Sequence, residues 1–341
     1  MRVLIVKLSA LGDVVHSLPV AVEIKRQVPE AQVWWVAESI NAPLLEAHPA
    51  VDRVLVSPRY IWKEAGMGQA MEAMGRVVAE LRAGFEAVID LQGLIKSAFF
   101  VAMARSKRKI GFRDYKEKIA SVVLNEPMPP YDPDRHAVLR YLDVLEPLGL
   151  ERPAVVDFGL EWMGSLASGV MSSLGLEGKD VVVVHPMARW ESKLWPEAHW
   201  RELIGLFVRE GLSVVITGDK ADQPVCARLG AAAGALDCSG RLGLVELGAL
   251  MAGARAVVST DTGPMHLAAG VGTGVVGLFG PTAPWRTGPF GSGHRVLRAG
   301  LECSPCFMRE CSDVRCMREI APKEVFAAAM EVVDGLGSGA S

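Results

Sequence analysis

Two short runs of almost purely aliphatic residues, Val3-Leu4-Ile5-Val6 and Val181-Val182-Val183-Val184, constrain the fold more than any other feature of the sequence. They are too short for helices and have no polar face. A strand of this kind must be covered on both sides, as in a parallel sheet with helices packed above and below. The surrounding pattern agrees. Residues 32–37, 53–56 and 87–91 read as further strands. Helical spacing appears in 67–82, and from Val14 onward with Val15, Leu18 and Val22 on the apolar side, Ile24 fitting that face less well. Residues 110–112 fit a short strand.

The pattern breaks over 126–135, where Pro127, Pro129, Pro130 and Pro133 fall together. A helix reads over 136–148 and a linker over 151–160. The alternation then restarts: a strand at 181–185, a helix at 200–210 ended by Gly211, strands at 213–217, 256–260 and 274–279, and a terminal helix at 322–336 with proline in its first turn. At ~100–200 residues per domain, 341 residues suit two. The expectation is an α/β chain of two Rossmann-like domains, 1–155 and 156–341.

The net charge of −3 argues against nucleic acid as a partner. The apolar run after Met1-Arg2 is too short for a signal segment, and no stretch approaches the roughly 20 apolar residues of a membrane span. A cytosolic chain with reduced cysteines is expected. One local feature departs from the overall balance. Arg105, Lys107, Arg108, Lys109, Arg113, Lys116 and Lys118 form a basic run containing only Asp114 and Glu117. It reads either as a solvated face or as a patch for an anionic partner.

In open α/β sheets, ligands collect at the carboxyl ends of the strands. Five segments fall there. Lys7-Leu8-Ser9-Ala10-Leu11-Gly12-Asp13 lacks the GxGxxG dinucleotide pattern, and Asp13 reads as a helix cap or as a functional carboxylate. Ser259-Thr260-Asp261-Thr262-Gly263-Pro264-Met265-His266 follows a strand and opens a helix, so the Thr262 and Gly263 N–H groups and the helix dipole suit a phosphate. There Asp261 reads as a cap or a sugar-hydroxyl ligand, and His266 as a packed core residue or a contact. Lys193 lies in the loop after 181–185 and could pair with a phosphate. Asp219 and Asp222, after 213–217, fit ribose recognition or turn chemistry. Cys303, Cys306, Cys311 and Cys316 fit a four-thiolate metal site or a cluster of reduced thiols.

These pieces occur together and in order, and the chain resembles glycosyltransferase family nine, the ADP-heptose:lipopolysaccharide heptosyltransferases. Its amino-terminal half is most similar to the type I members. The resemblance rests on residues 7–19, Asp90-Leu91-Gln92-Gly93-Leu94-Ile95-Lys96-Ser97, Lys193-Leu194-Trp195-Pro196, residues 261–269 and Phe279-Gly280-Pro281-Thr282. It implies a GT-B fold, two Rossmann-like domains facing across a cleft, with acceptor bound by the first and donor by the second. It implies Asp13 as the catalytic base of an inverting transfer. Donor binding would fall to Lys193, Asp222, Asp261, Thr262, Gly263 and His266. Acceptor binding would fall to Ser9, Gly12, Arg59, Lys63, Gln92 and Lys96.

The implied partners are ADP-heptose, the Kdo–lipid A inner core and the inner-membrane surface, to which a cytoplasmic enzyme would bind peripherally. No cofactor is expected for catalysis, and a structural metal at the cysteines stays open. The sequence departs from the type I pattern before the lysine: Met187 and Ala188 stand where hydroxyl side chains are usual, which points to Ser192 or backbone for phosphate contacts. The sequence leaves two rival readings open. One is a nucleotide-sugar epimerase, or a transferase of another sugar, on the same fold. The other is a non-catalytic binding or redox module built on the cysteines.

Overall fold

The computed structural model describes residues 1–58, 66–113 and 117–335, which form two compact units, Met1–Gly159 and Leu160–Ser341. In the first, β1 (Arg2–Val6) leads into α1 (Leu11–Gln27), β2 (Gln32–Glu38), α2 (Ala42–Glu46), β3 (Arg53–Ser57) and α3 (Met67–Leu81). Then follow β4 (Ala87–Asp90), α4 (Ile95–Met103), β5 (Lys109–Phe112), a 3-10 turn (Lys118–Val123), β6 (Glu126–Met128) and α5 (Ala137–Leu142). The strands lie in the order β3-β2-β1-β4-β5-β6, all parallel.

The second unit opens with α6 (Trp162–Ser173) and β7 (Val181–His185), then α7 (Glu197–Arg209), β8 (Ser213–Ile216), α8 (Gln223–Ala233) and β9 (Leu236–Asp237). It continues through α9 (Leu244–Ala252), β10 (Ala256–Thr260), α10 (Gly263–Gly270), β11 (Val275–Leu278), α11 (Pro284–Thr287), β12 (Arg295–Leu297), α12 (Arg315–Arg318) and α13 (Pro322–Gly335). Its parallel order is β12-β11-β10-β7-β8-β9. Val3 to Val6 and Val181 to Val184 are fully buried at the centres of the two sheets, as their composition requires.

Several boundaries differ from the sequence expectation for physical reasons. Helix α1 begins at Leu11 rather than Val14, so Asp13 is its third residue and Ala10 the cap position. It is buried on most sides, against both the sheet and α5, and Ile24 is therefore fully covered. The proline-rich stretch after 126 holds a strand, because β6 pairs only with β5 at the sheet edge, where Pro127 removes no needed donor. The helix read over 136–148 is shorter: His136 caps α5 by accepting the Val138 N–H, and a 3-10 turn follows at Asp143–Leu145. Among the described residues, no helix is long and apolar enough to cross a membrane.

Register sets which residues meet. Val6 lies opposite both Val36 and Asp90, so Lys7 leaves the sheet beside the end of β4. Ser259 lies opposite His185, so Asp261 emerges beside the loop that carries Lys193.

Close packing leaves two glycines with opposite expectations. A Cβ on Gly274 would collide with the Val332 side chain of α13, which is stiff at χ1. Gly205, inside α7, would meet only the flexible end of Arg209 at 3.4 Å. Gly274→Ala is expected to lower unfolding free energy by about 1–3 kcal/mol. Gly205→Ala should raise it by roughly 0.5–1 kcal/mol. Urea denaturation of both variants checks the pair, and equal effects would contradict this packing.

Candidate functional site

In the first unit, three turns converge on Asp13. Its Oδ2 accepts the Ala10 N–H at 3.4 Å within the first turn of α1, and its Oδ1 accepts the Tyr141 hydroxyl at 3.2 Å. Tyr141 in turn accepts from the Lys7 ammonium at 2.8 Å, and Lys7 also donates to the Leu91 carbonyl at 2.9 Å. Lys7 Nζ stands 3.9 Å from Asp13 Oδ1. The Lys7 side chain is 3% exposed and that of Asp13 40%, so the carboxylate reaches solvent above a covered lysine and a half-buried tyrosine.

Burial, and then the Asp13 charge, push the Tyr141 hydroxyl well above its usual range, so it stays protonated and donates to Asp13. Burial lowers the pKa of Lys7, opposed by the Asp13 and Asp90 carboxylates. Asp90 is pushed up to about 6 by its own burial, while the Gly93 and Gln92 N–H groups and the Ser97 hydroxyl pull the other way. Asp90 thus shapes the 91–94 turn and faces Lys7. The sequence alone points to no role for Tyr141 or Lys7. Lys7 lies inside the 7–13 segment, directly after a buried strand, and that position is its signal. Tyr141 lies 128 residues beyond Asp13 and carries no local signal.

The expected acceptor residues divide into groups. Gln92 Oε1 accepts the N–H groups of Leu8 and Ser9 at 3.0 and 3.1 Å, tying the β1 and β4 loops together. Lys96 donates to Ser9 Oγ at 2.7 Å and pairs with Glu38 at 2.8 Å, so much of its charge is already met. Gly12 is buried in the first turn of α1. Arg59 and Lys63 lie outside the described residues, as does Lys116 of the basic run. Two residues of that run do not face this site. Arg108 is held by Glu126 through two hydrogen bonds and by the Pro147 carbonyl, and Lys109 donates to the Ala102 carbonyl. Both lie at the amino end of β5, whereas Asp13 lies at the carboxyl end of the sheet.

In the second unit, Lys193 closes a 3-10 turn and donates to both the Asp261 carbonyl and its Oδ2, at 3.0 and 2.7 Å. The two side chains are 15% and 7% exposed, and the ammonium also sits 4.5 Å from the centre of the Trp190 ring. Arg309 stacks on the same ring. His266 Nε2 lies 3.8 Å from Asp261 Oδ1. Asp261 is not the helix cap: Thr262 holds that position in extended conformation, with no side-chain cap bond, at the amino terminus of α10. A buried carboxylate, a lysine and a helix amino terminus thus meet at one strand end, an arrangement able to hold a phosphorylated sugar.

Asp222 instead follows turn chemistry. It holds the cap position of α8 without a side-chain cap bond and accepts the Asp219 N–H at 2.9 Å, while Asp219 accepts from Ala221 and Asp222. Partial burial raises the Asp222 pKa. Ser192, expected to offer its hydroxyl to phosphate, donates it to the Met308 carbonyl at 2.7 Å and so anchors the 308–309 loop. Cys303, Cys306 and Cys311 are exposed free thiols, and Cys316 is half-buried. Among the described residues, no three His, Cys, Asp or Glu side chains come together as a metal ion requires.

His185 ends β7 and bonds Thr217 Oγ1 through Nδ1 at 3.0 Å. Burial pushes its pKa down to about 4, only partly offset by Asp219. The unfolded chain takes up this proton near its usual value of about 6.5, whereas the folded chain does not until about 4. Stability should therefore fall as pH drops through that window, by at most about 3 kcal/mol from this residue. Urea titrations across the window should show a shallower decline for His185→Gln. An unchanged slope would contradict the assignment.

Comparison with known proteins places the chain in a family. The family model for glycosyltransferase family 9 (heptosyltransferase) matches residues 74–316. Lipopolysaccharide heptosyltransferase 1 of Pseudomonas aeruginosa is 33% identical over 324 residues, 92% of this chain and 88% of that protein. The solved structure of the E. coli heptosyltransferase WaaC with ADP superposes with a TM-score of 0.82 at 28% identity, over 97% of this chain and 100% of that one. Its structure with ADP-2-deoxy-2-fluoro heptose gives 0.76 at 28% identity, with both chains fully covered. The fold is GT-B, and an enzyme replaces the non-catalytic cysteine module as the reading of this chain. A family match across most of its length and a relative one-third identical over 92% of it lead to one conclusion: the chain belongs to glycosyltransferase family 9, the heptosyltransferases.

Proposed function

We propose that this chain moves heptose from ADP-heptose to the Kdo–lipid A inner core of lipopolysaccharide, with inversion, as a cytoplasmic enzyme peripheral to the inner membrane. The observation that carries the reading is the half-exposed Asp13 carboxylate held by a half-buried tyrosine that itself accepts from a buried lysine. Asp13 takes the proton from an acceptor hydroxyl while that oxygen bonds to the anomeric carbon. The bond from that carbon to the pyrophosphate oxygen breaks, and ADP leaves with the electron pair. Asp13 is the base because one oxygen is oriented by Tyr141 while the group as a whole reaches solvent.

The leaving pyrophosphate is met by Lys193 and the amino terminus of α10. Asp261, positioned by Lys193, offers its carboxylate to heptose hydroxyls, with His266 beside it. Support for the donor comes from the E. coli relative described with ADP and an ADP-heptose analogue. Ribose recognition by Asp222 requires it to keep its turn role and use only its outer oxygen. Ser9, Gly12, Gln92 and Lys96 shape the acceptor side, Gln92 and Lys96 by fixing loops as well as by contact.

Three outcomes are expected. Asp13→Asn should abolish heptose transfer while calorimetric affinity for ADP stays at the wild-type value, and transfer at a near wild-type rate would end the base assignment. Lys193→Ala should weaken ADP binding by about 1.5–3 kcal/mol, the size of a charge-assisted contact. Unchanged affinity and rate would remove Lys193 from the donor site. Transfer should also persist in EDTA, because cationic side chain and helix dipole meet the pyrophosphate. Activity lost in EDTA and restored by Mg²⁺ would overturn that assignment.

A further inference from the structure

Helix α4 is apolar on two faces, and among the described residues only one is covered. Ala98, Phe100 and Val101 point inward and are buried against the sheet and α3. Ile95, Phe99 and Met103 recur every fourth residue, share the opposite face and are 59%, 41% and 36% exposed. The 3-10 turn at Lys118–Val123 packs alongside α4 and extends this face. Its Ala120 and Val123 turn toward the core, while Ile119 and Val122 are 67% and 78% exposed. They lie three residues apart, which aligns side chains in a 3-10 turn. A hydrogen bond from the Ile95 N–H to the Glu117 carboxylate joins the two segments.

An apolar helix face of this size is normally buried, and its exposure marks a surface that meets something. The charge around it says what. Residues 95–123 carry eight Lys or Arg and two acidic residues, in a chain whose net charge is −3. Exposed Arg105 and Lys107 stand beyond the carboxyl end of α4, and exposed Lys118 adjoins Ile119. Glu117 is occupied by the Ile95 N–H. An apolar stripe edged by cations suits an anionic lipid surface, the acyl region taking the stripe and the headgroups the cations. A second copy of the chain fits less well, since a two-fold contact through this face would set like charges together.

We propose that the outer face of α4 and the adjoining 118–123 turn seat this chain on an anionic lipid bilayer. The proposal rests on the reading that the acceptor is a lipid held in a membrane. The amino terminus of α4 carries Lys96, which reaches Ser9 in the Asp13 loop, so one end of the seated helix abuts the acceptor site. A lipid-anchored sugar would reach Asp13 from the bilayer without leaving it.

Flotation of the full chain with vesicles tests this. Vesicles of phosphatidylcholine alone are compared with vesicles of phosphatidylcholine and phosphatidylglycerol, at low and high salt. The wild-type chain should float with the anionic vesicles. A Phe99→Ser/Ile119→Ser/Val122→Ser variant should lose binding at both salt concentrations. A Lys107→Ser/Lys118→Ser variant should lose about twenty-five-fold at low salt and less at high salt, at about fivefold per charge. Both variants should keep wild-type melting curves and wild-type turnover of a lipid-free acceptor sugar. Absence of wild-type binding, or variants that bind like wild type, would overturn the proposal. So would a concentration-dependent dimer in sedimentation that the apolar variant abolishes, since the face would then serve a second copy. Vesicle binding that depends on these residues in a chain unable to transfer heptose would uphold the surface and remove the acceptor reading.

Discussion

A parallel sheet covered by helices on both faces has only its strand ends free for chemistry. Both sheets of this chain are of that kind, and the central strands are buried, β1 from Val3 onward and β7 throughout. Polar groups that leave such a strand must find partners at once or reach water. Lys7 follows β1 directly and is almost fully covered, so its ammonium is satisfied by the Tyr141 hydroxyl and the Leu91 carbonyl, with Asp13 and Asp90 nearby. Around this one buried cation the first site takes its shape. The Asp90 carboxylate shapes the β4 turn, Tyr141 draws α5 onto α1, and Asp13 is left with an oriented carboxylate at the surface.

The second unit solves the same problem with a different pair. Lys193 and Asp261 neutralise one another at the end of β10. Breaking a covered pair by removing one partner leaves the other charge stranded, at a cost larger than the net value of the pair. The site is thus organised before a donor arrives, and a pyrophosphate would add acceptor oxygens around Lys193 rather than create its position. Lys96 and Glu38 play the same part in the first unit, where their pairing fixes Lys96 against Ser9.

Preorganisation also explains why several expected contacts serve structure. Gln92, Asp222 and Ser192 each spend polar atoms on holding a loop. Arg108 and Lys109 belong to a run that looks continuous in sequence, yet both are anchored at the far end of β5. The cations left exposed in that run border an apolar face, and that juxtaposition has no counterpart in the linear pattern.

The sequence by itself determined the class of fold. Runs of aliphatic residues at Val3–Val6 and Val181–Val184 admit little other than buried parallel strands, and the alternation of periods places helices between them. It also located the chemistry at strand ends, because Asp13, Lys193 and Asp261 sit in short segments with distinctive turns. Tertiary structure alone decided which of these residues meet. Tyr141 reaches Asp13 only because α5 packs on α1, and Lys193 reaches Asp261 only because β7 and β10 are neighbours in register. Pairing between distant residues depends on strand order and on burial, and neither is written in local spacing. The same reason separates Phe99 from Phe100: adjacent and identical in sequence, one lies in the core and the other faces outward, since successive residues on a helix point about 100° apart.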